Sequence, residues 1–177
     1  MPVISQHFVQ DPYRDSAEFE EVSRIARALE GHLNTPDAQA RIAEANKPGL
    51  SSAHVQAVFL DEAQRLGFRN EAQGLFADYK NRHVRPDYHL PLRHHATGIL
   101  MEVERGKTTI NNMDFLDFWK CHLCPDAHHL FMLVPSELRQ NNEMAPRREF
   151  DIVRNRMSAF FEPRNYTNVR SLWIFGY

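Results

Sequence analysis

Two glutamates spaced by one residue lie inside a strongly apolar segment, and this combination is the main indication of chemistry in the sequence. Residues 99–104 read as a buried strand, in which successive side chains point to opposite faces, so Glu102 and Glu104 share one face. A carboxylate is costly to bury without a partner, and two on the same face also repel each other. A basic side chain, or a hard metal ion that prefers oxygen ligands, would relieve this cost. The pattern therefore predicts either an ion-pair network or a metal site.

The elements around this strand predict an α/β fold, with a central mixed sheet flanked by helices. We expect residues 1–50 to form a helical N-terminal extension and residues 51–177 to form the α/β core. A polar turn between residues 93 and 98 predicts a hairpin, and Pro91 indicates that its first strand is short or lies at an edge. The predicted helices are 15–33, 35–45, 51–67, 111–124 and 146–161, and the predicted strands are 88–92, 99–104, 129–135 and 169–175, with an ambiguous strand near 75–79.

The helix predicted over 111–124 carries two further features. Its apolar residues predict an inward face, and Lys120 then reads as a surface lysine. Cys121 and Cys124 have the spacing of zinc ligands, but a second such pair is missing, so buried core cysteines are the favoured interpretation. The residues predicted to face inward are Met113, Leu116, Trp119, Leu123 and Cys124.

Composition sets the class of protein. The chain has 177 residues, a formal net charge of −2 and two cysteines. No apolar run reaches the roughly 18–20 residues that span a bilayer, and no secretory signal is visible, so we expect a cytoplasmic protein without a membrane partner. The basic excess near the glutamates, where four Lys or Arg accompany Asp87 alone between residues 79 and 95, suits a polyanionic substrate or a solvated surface equally well.

Pro86-Asp87, a gap and Glu102-x-Glu104 in an apolar strand together resemble the PD-(D/E)xK nuclease superfamily. The order of elements over residues 51–134 is similar to the core of that family. The resemblance implies a restriction-endonuclease-like three-layer sandwich that cleaves DNA with Mg²⁺ or Mn²⁺. It also implies that a homodimer is possible.

The resemblance assigns roles by position. Asp87 and Glu102 would be the paired metal-binding acids, and Glu104 stands where most members of the family have lysine. Glu104 would therefore be a further ligand or a base that orients water. The remaining candidates are Lys107 or Lys120 for the displaced lysine, Glu62 for an additional metal-site acid, and Arg85, Arg93, His94 and His95 for contacts to substrate phosphates.

Two alternatives remain open at this stage. Glutamate at the lysine position and a near-neutral net charge are compatible with a catalytically silent protein that keeps the fold as a nucleic-acid-binding or assembly module. A small protein stabilised by zinc at Cys121 and Cys124 is the other. Under the ion-pair interpretation, Arg85, Arg105 or Lys107 neutralises the glutamates.

Overall fold

The computed structural model describes residues 2–47, 49–70, 85–106, 108–138 and 145–177, and of Ser52 it describes the backbone only. The strand predicted near 75–79 lies outside these residues. The elements are β1 (Ile4–Val9), a 3₁₀ turn (Asp11–Tyr13), α1 (Ala17–Leu33), α2 (Pro36–Ala45), α3 (Ser52–Arg65), β2 (Arg69–Asn70), β3 (Tyr88–Pro91), β4 (Gly98–Val103), α4 (Met113–Leu123), β5 (His129–Val134), α5 (Glu149–Ser158) and β6 (Ser171–Gly176).

The six strands form one mixed sheet in the order β1-β6-β5-β4-β3-β2. The central strands β4, β5 and β6 run parallel, and antiparallel pairs flank them on both sides. Parallel strands at the centre of a sheet are covered on both faces, which explains the continuous apolar runs of β5 and β6. The predicted α/β architecture with a central mixed sheet between helices is confirmed.

Each face of the sheet carries its own hydrophobic cluster. Alternate residues of β4 divide between them, because Ile99, Met101 and Val103 pack with helices α1 to α3. Leu100 points the other way and packs with residues of α4 and α5. The result is three layers, and Glu102, which follows the parity of Leu100, faces the layer of α4 and α5.

The N-terminal segment contributes a strand that the sequence analysis missed. β1 pairs with β6 along six residues, from Ile4 opposite Gly176 to Val9 opposite Ser171. Its residues are mostly exposed or half-buried, so it lacks the apolar pattern that predicts a strand. The α-helices of segment 1–50 therefore begin only after residue 16, while the division into an extension and a core at residue 50, within one compact domain, stays a prediction.

The helices begin and end where local chemistry predicts. Ser16 and Thr35 cap α1 and α2 by accepting hydrogen bonds from the amides of Phe19 and Ala38. Helix α3 ends in a Schellman motif, in which Phe68 N donates to Ala63 O and Gly67 adopts a φ of +96°. None of the helices in the described ranges has the length and apolarity that crossing a lipid bilayer requires.

A buried polar chain ties α1 to the sheet. His129, at the start of β5, contacts Ser171 Oγ through Nδ1 at 2.8 Å and Glu18 through Nε2 at 2.9 Å. Arg170 donates to both oxygens of Glu18. Ser171 is fully buried, so a substrate cannot reach this serine–histidine–glutamate arrangement. Its hydrogen bonds instead stabilise the packing of α1 against the sheet.

Replacing Gly98 with alanine tests how tightly the β3–β4 hairpin is packed. An added Cβ would lie 2.7 Å from Leu90 O and 2.9 Å from Asp126 O, so backbone must move. We expect a loss of about 2 kcal/mol and a melting temperature at least about 4 °C lower. Gly31→Ala is the control, because its Cβ meets nothing within 4 Å inside α1 and the change should be neutral or stabilising. Equal melting temperatures for both variants would contradict the packing described here.

Replacing Glu18 with glutamine tests the polar chain through its pH dependence. Hydrogen bonds from His129 and Arg170 outweigh the effect of burial and lower the pKa of Glu18 from 4.5 to about 2. The unfolded state therefore binds more protons between these values, and wild-type stability falls as the pH drops through that range. After allowance for solvent screening, we expect Glu18 to account for about 2 kcal/mol of the unfolding free energy that wild type loses between pH 5 and pH 2.5. Glu18→Gln should lack this part of the loss, and chemical unfolding across that pH range measures it. Glu20→Gln, an exposed acid of the same helix, should leave the profile unchanged.

Candidate active site at the carboxyl end of strand β4

The acidic motif converges at the carboxyl end of β4. Asp87 directly precedes β3, and β3 runs antiparallel to β4, so Asp87 lies beside the last residues of β4. Its Oδ2 accepts a hydrogen bond from Val103 N at 2.9 Å, and its own N–H lies 3.3 Å from Glu102 Oε2. The predicted pair of acids is therefore brought together, and the hairpin holds them.

Helix α4 adds two charged residues from the neighbouring layer. Lys120 Nζ lies 3.1 Å from Glu102 Oε1 and 2.8 Å from Asp117 Oδ1. The side chains of Glu102 and Asp117 are 2% and 0% exposed, so both ion pairs are withdrawn from water. Within the part of the chain that the structure describes, Lys120 is the cation paired with Glu102 and Asp117, and the sequence analysis did not identify Asp117 as a candidate.

The orientation of α4 corrects the predicted inward face. Leu116, Trp119 and Leu123 are 51%, 49% and 62% exposed, whereas Asp117 and Phe118 are buried. The hydrophobic pattern placed the acid and the lysine outward because an unpaired charge is costly to bury. Here each charge has a partner, so the polar side of the helix can face the sheet. An acid three residues before a lysine, on a helix after the glutamate strand, is the signal that could have indicated this face.

Two charged side chains of α5 hold the turn that precedes α4. Arg156 donates to Thr109 O and to Asn112 Oδ1, and its Nε lies 3.2 Å from Asp114. Glu149, which is fully buried, accepts hydrogen bonds from both the amide and the hydroxyl of Thr109. These contacts set where α4 begins and therefore where Asp117 and Lys120 meet the sheet.

Burial and mutual repulsion dominate the electrostatics of the cluster formed by Asp87, Glu102, Glu104, Asp117 and Lys120. Burial, followed by the charge of Asp117, raises the pKa of Glu102 well above its usual value. Burial also raises the pKa of Asp117, although Lys120 opposes the shift. Burial lowers the pKa of Lys120, but Glu102 and Asp117 raise it by more, so the lysine stays charged. Four carboxyl groups share one ammonium, and the raised pKa values indicate that the cluster favours binding protons over carrying four negative charges.

Glu104 lies at the open side of the cluster. Its backbone N–H donates a hydrogen bond to Leu133 O at 2.8 Å, which extends the pairing of β4 with β5. Its carbonyl accepts a hydrogen bond from the Tyr177 hydroxyl. Its side chain is half-buried, unlike that of Glu102. Burial and then the charges of Asp117 and Asp87 raise its pKa to about 8. Glu104 therefore shares the electrostatic environment of the other acids while remaining open to solvent.

The donor chemistry of the cluster fits a hard divalent cation. All four acids offer oxygen, the ligand that Mg²⁺ and Mn²⁺ prefer, and neither Asp117 oxygen receives a well-directed hydrogen bond from the described residues. The present side-chain positions are not a finished coordination sphere. Among the described residues, no three His, Cys, Asp or Glu side chains are arranged to hold a metal ion. Asp87 and Glu102 instead contact N–H groups and Lys120.

The other predicted site residues are separate from this cluster or not described. Glu62 pairs with Arg65 and lies 3.4 Å from His32, between α3 and α1, so the structure does not bring it to the predicted metal site. Arg105 donates to the carbonyls of Lys47 and Leu50, so it does not neutralise the glutamates. Lys107 lies outside the described residues.

The predicted phosphate contacts divide between the two ends of the hairpin. Arg85 lies two residues before Asp87 and is half-buried. Arg93, His94 and His95 follow β3 at its other end, away from the carboxylates, and His95 lies 3.8 Å from Glu21. Their role in binding DNA stays a prediction.

The two cysteines pack as core residues. Cys121 and Cys124 are 0% and 5% exposed and belong to the hydrophobic cluster on the α4 side of the sheet. Burial raises the pKa of the Cys121 thiol, which disfavours the thiolate that zinc requires. The favoured interpretation of core cysteines is confirmed.

Comparison with known proteins adds little to this description. No protein-family model matches this chain, and no curated protein sequence matches it significantly. Among solved structures, the crystal structure of restriction endonuclease BglII complexed with a DNA 16-mer is similar, with 12% sequence identity and a TM-score of 0.49. The similarity covers 99% of this chain and 78% of the BglII chain. Residue roles do not follow from it.

Replacing Lys120 with methionine tests whether this ammonium balances the buried acids. We expect about 3–5 kcal/mol of destabilisation at pH 8, because Glu102 and Asp117 are left uncompensated. Both acids have raised pKa values in the folded state, so the penalty should shrink as the pH falls and they bind protons. Chemical unfolding at pH 8 and pH 5.5 measures this difference. Lys47→Met is the control, since Lys47 pairs with Glu44 at the surface and should change stability by less than about 1 kcal/mol. A pH-independent loss in Lys120→Met would contradict the assignment.

Proposed function

We propose that this chain is a divalent-metal-dependent nuclease that hydrolyses phosphodiester bonds of DNA, with the carboxylate cluster as its active site. The observation that carries the proposal is the position of Lys120, whose Nζ lies 3.1 Å from Glu102 and 2.8 Å from Asp117. The sequence motif has glutamate where the resembling nucleases have lysine. Lys120 supplies an ammonium group to the same carboxylates from a different element.

Asp87, Glu102, Glu104 and Asp117 are the residues that would hold Mg²⁺ or Mn²⁺. Bound there, the ion would lower the pKa of a water molecule and neutralise charge that develops on the phosphate. The grouping of four acids around one ammonium supports this role, because a divalent cation would favour their ionised forms. Glu62 is not part of this proposal, since Arg65 already pairs with it.

Lys120 acts as an electrostatic and positioning group. Two carboxylates fix its ammonium, and the Lys120 side chain is only 14% exposed, so little reorganisation would accompany the reaction. A lysine held in this way can donate a hydrogen bond to a phosphate oxygen or to the attacking water. Glu104, at the open side of the cluster, would orient that water through its carboxylate.

DNA is the proposed partner because the scissile group must be anionic and the motif resembles that of DNA-cleaving enzymes. A phosphodiester brings negative charge to an acidic cluster, so binding affinity must come from basic residues outside it. Arg85, two residues before Asp87, is the nearest predicted contact in the sequence. The homodimer and the cytoplasmic location remain predictions.

Cleavage of supercoiled plasmid in Mg²⁺ or Mn²⁺ tests the proposal. We expect wild type to nick the plasmid and expect Glu102→Gln, Asp117→Asn and Lys120→Gln each to lower the rate at least about 100-fold, because each removes a group from the reacting centre. Mn²⁺ binding, followed by the electron paramagnetic resonance of the free ion, should weaken in the first two variants and provides a readout independent of turnover.

Glu62→Gln is the matched control for this experiment. It removes the same charge from an equally buried glutamate, but on the opposite face of the sheet, so cleavage and Mn²⁺ binding should be retained. Chemical unfolding of every variant separates lost chemistry from lost folding. Folded wild type that binds DNA but cleaves none of several DNA and RNA substrates would contradict the nuclease and favour a silent nucleic-acid-binding module.

A further inference from the structure

A groove with a volume of about 970 Å³ lies between helix α1, the turn from α3 to β2 and the connection from β3 to β4. Apolar residues such as Leu66 and Leu90 line part of it, and five arginines line it as well. It is distinct from the carboxylate cluster, none of whose residues lines it. The arginines that line the groove are Arg24, Arg27, Arg65, Arg69 and Arg93.

Local structure brings these arginines together from separate parts of the chain. Arg24 and Arg27 are three residues apart on α1 and therefore share a helix face. The left-handed Gly67 at the end of α3 turns the chain so that Arg69 begins β2. The hydrogen bond from Leu92 N to Thr97 O closes the hairpin connection that carries Arg93.

Three of the five arginines are not neutralised by neighbours. Arg65 pairs with Glu62, and Arg24 lies 3.9 Å from Glu21. Within the described ranges, Arg27, Arg69 and Arg93 form no ion pair with a carboxylate, and all three are exposed. Among the described residues, the groove lining has five arginines against Glu20 and Glu21, an excess of three positive charges. Convergent like charges repel each other, and an anionic ligand would offset that cost.

We propose that this groove binds the phosphodiester backbone of a nucleic acid, at a surface separate from the carboxylate cluster. Arginine matches phosphate oxygens through its planar, bidentate donors, and a groove of about 970 Å³ is far larger than one phosphate group needs. Unpaired guanidinium groups on three different elements suit successive phosphates of a strand better than one compact anion. Such contacts position a nucleic acid without reading its sequence.

The placement relative to the carboxylates gives the groove a specific task. Asp87 precedes β3 and Arg93 follows it, so the two surfaces are separated by at least the length of a four-residue strand, about 14 Å. The groove lies on the α1–α3 side of the sheet and Glu102 faces the α4–α5 side, so a nucleic acid that contacts both would have to pass the sheet edge at β2. This use of the groove rests on the proposed nuclease function. It supplies the basic contact that the acidic cluster lacks.

Binding of a duplex of about 30 base pairs, measured by fluorescence anisotropy in EDTA, tests the groove without cleavage. The test protein carries Arg27→Gln, Arg69→Gln and Arg93→Gln. We expect a loss of affinity of at least about 10-fold near 0.1 M salt. We also expect the slope of log affinity against log salt to fall by about 2.7, since three phosphate contacts are removed.

The matched control removes the same number of positive charges elsewhere. Arg14→Gln, Arg41→Gln and Lys47→Gln change exposed residues that already pair with acids, and should leave the salt slope within about one unit of wild type. An equal loss in both triple variants would overturn the groove, because net charge would then explain binding. Wild type that binds no duplex at low salt would also overturn it.

Different results would contradict the groove as a binding surface and the proposed nuclease activity. The triple groove variant should bind Mn²⁺ as wild type does, because none of its three arginines belongs to the carboxylate cluster. A wild type that binds through the groove but never cleaves would defeat the proposed activity and leave this inference standing. Single variants Arg69→Gln and Arg93→Gln, each expected to lower affinity about 2- to 10-fold, keep the test decisive if the triple variant unfolds.

Discussion

A single buried ammonium group among four carboxylates is the constraint on which this structure depends. Removing Glu102 and Asp117 from water costs several kcal/mol for each charge, and Lys120 returns that energy only if its Nζ stays within contact of both. The β3–β4 hairpin, the start of α4 and the anchoring of that turn by α5 all serve this geometry.

The constraint also explains why Leu116, Trp119 and Leu123 of α4 face outward, although Phe118 and Cys121 of the same helix pack in the core. A helix cannot turn both its leucines and its ion pair toward one sheet, and in this chain the ion pair takes the inner position. Exposed Trp119 and Leu123 are the energetic consequence, since their burial would each contribute roughly 1.5–3 kcal/mol. A loss of hydrophobic burial of this kind is typical of functional positions, where chemistry and stability make different demands on the same residues.

The sequence predicts the parts of the fold that obey simple periodicity. The boundaries of α1, α2 and α3 follow from Ser16, Thr35 and Gly67, and β4 and β5 follow from uninterrupted apolar runs. The predicted hairpin also leads to the correct expectation that Asp87 and Glu102 lie close together. The sequence does not predict Asp117, because hydrophobic patterning treats every helix charge as solvent-facing, and it does not predict β1, whose edge position leaves its side chains largely exposed.

The pairing of β1 with β6 has a consequence for the order in which this protein acquires its structure. Ile4 lies opposite Gly176, so the outermost antiparallel pair joins segments separated by almost the whole sequence. During synthesis, which proceeds from the N-terminus, β1 has no partner until β6 has been made. Until then β5 also lacks a neighbour on that side, and its apolar edge is open to intermolecular pairing. The chain is therefore a slow folder by topology, with its period of greatest vulnerability late in translation.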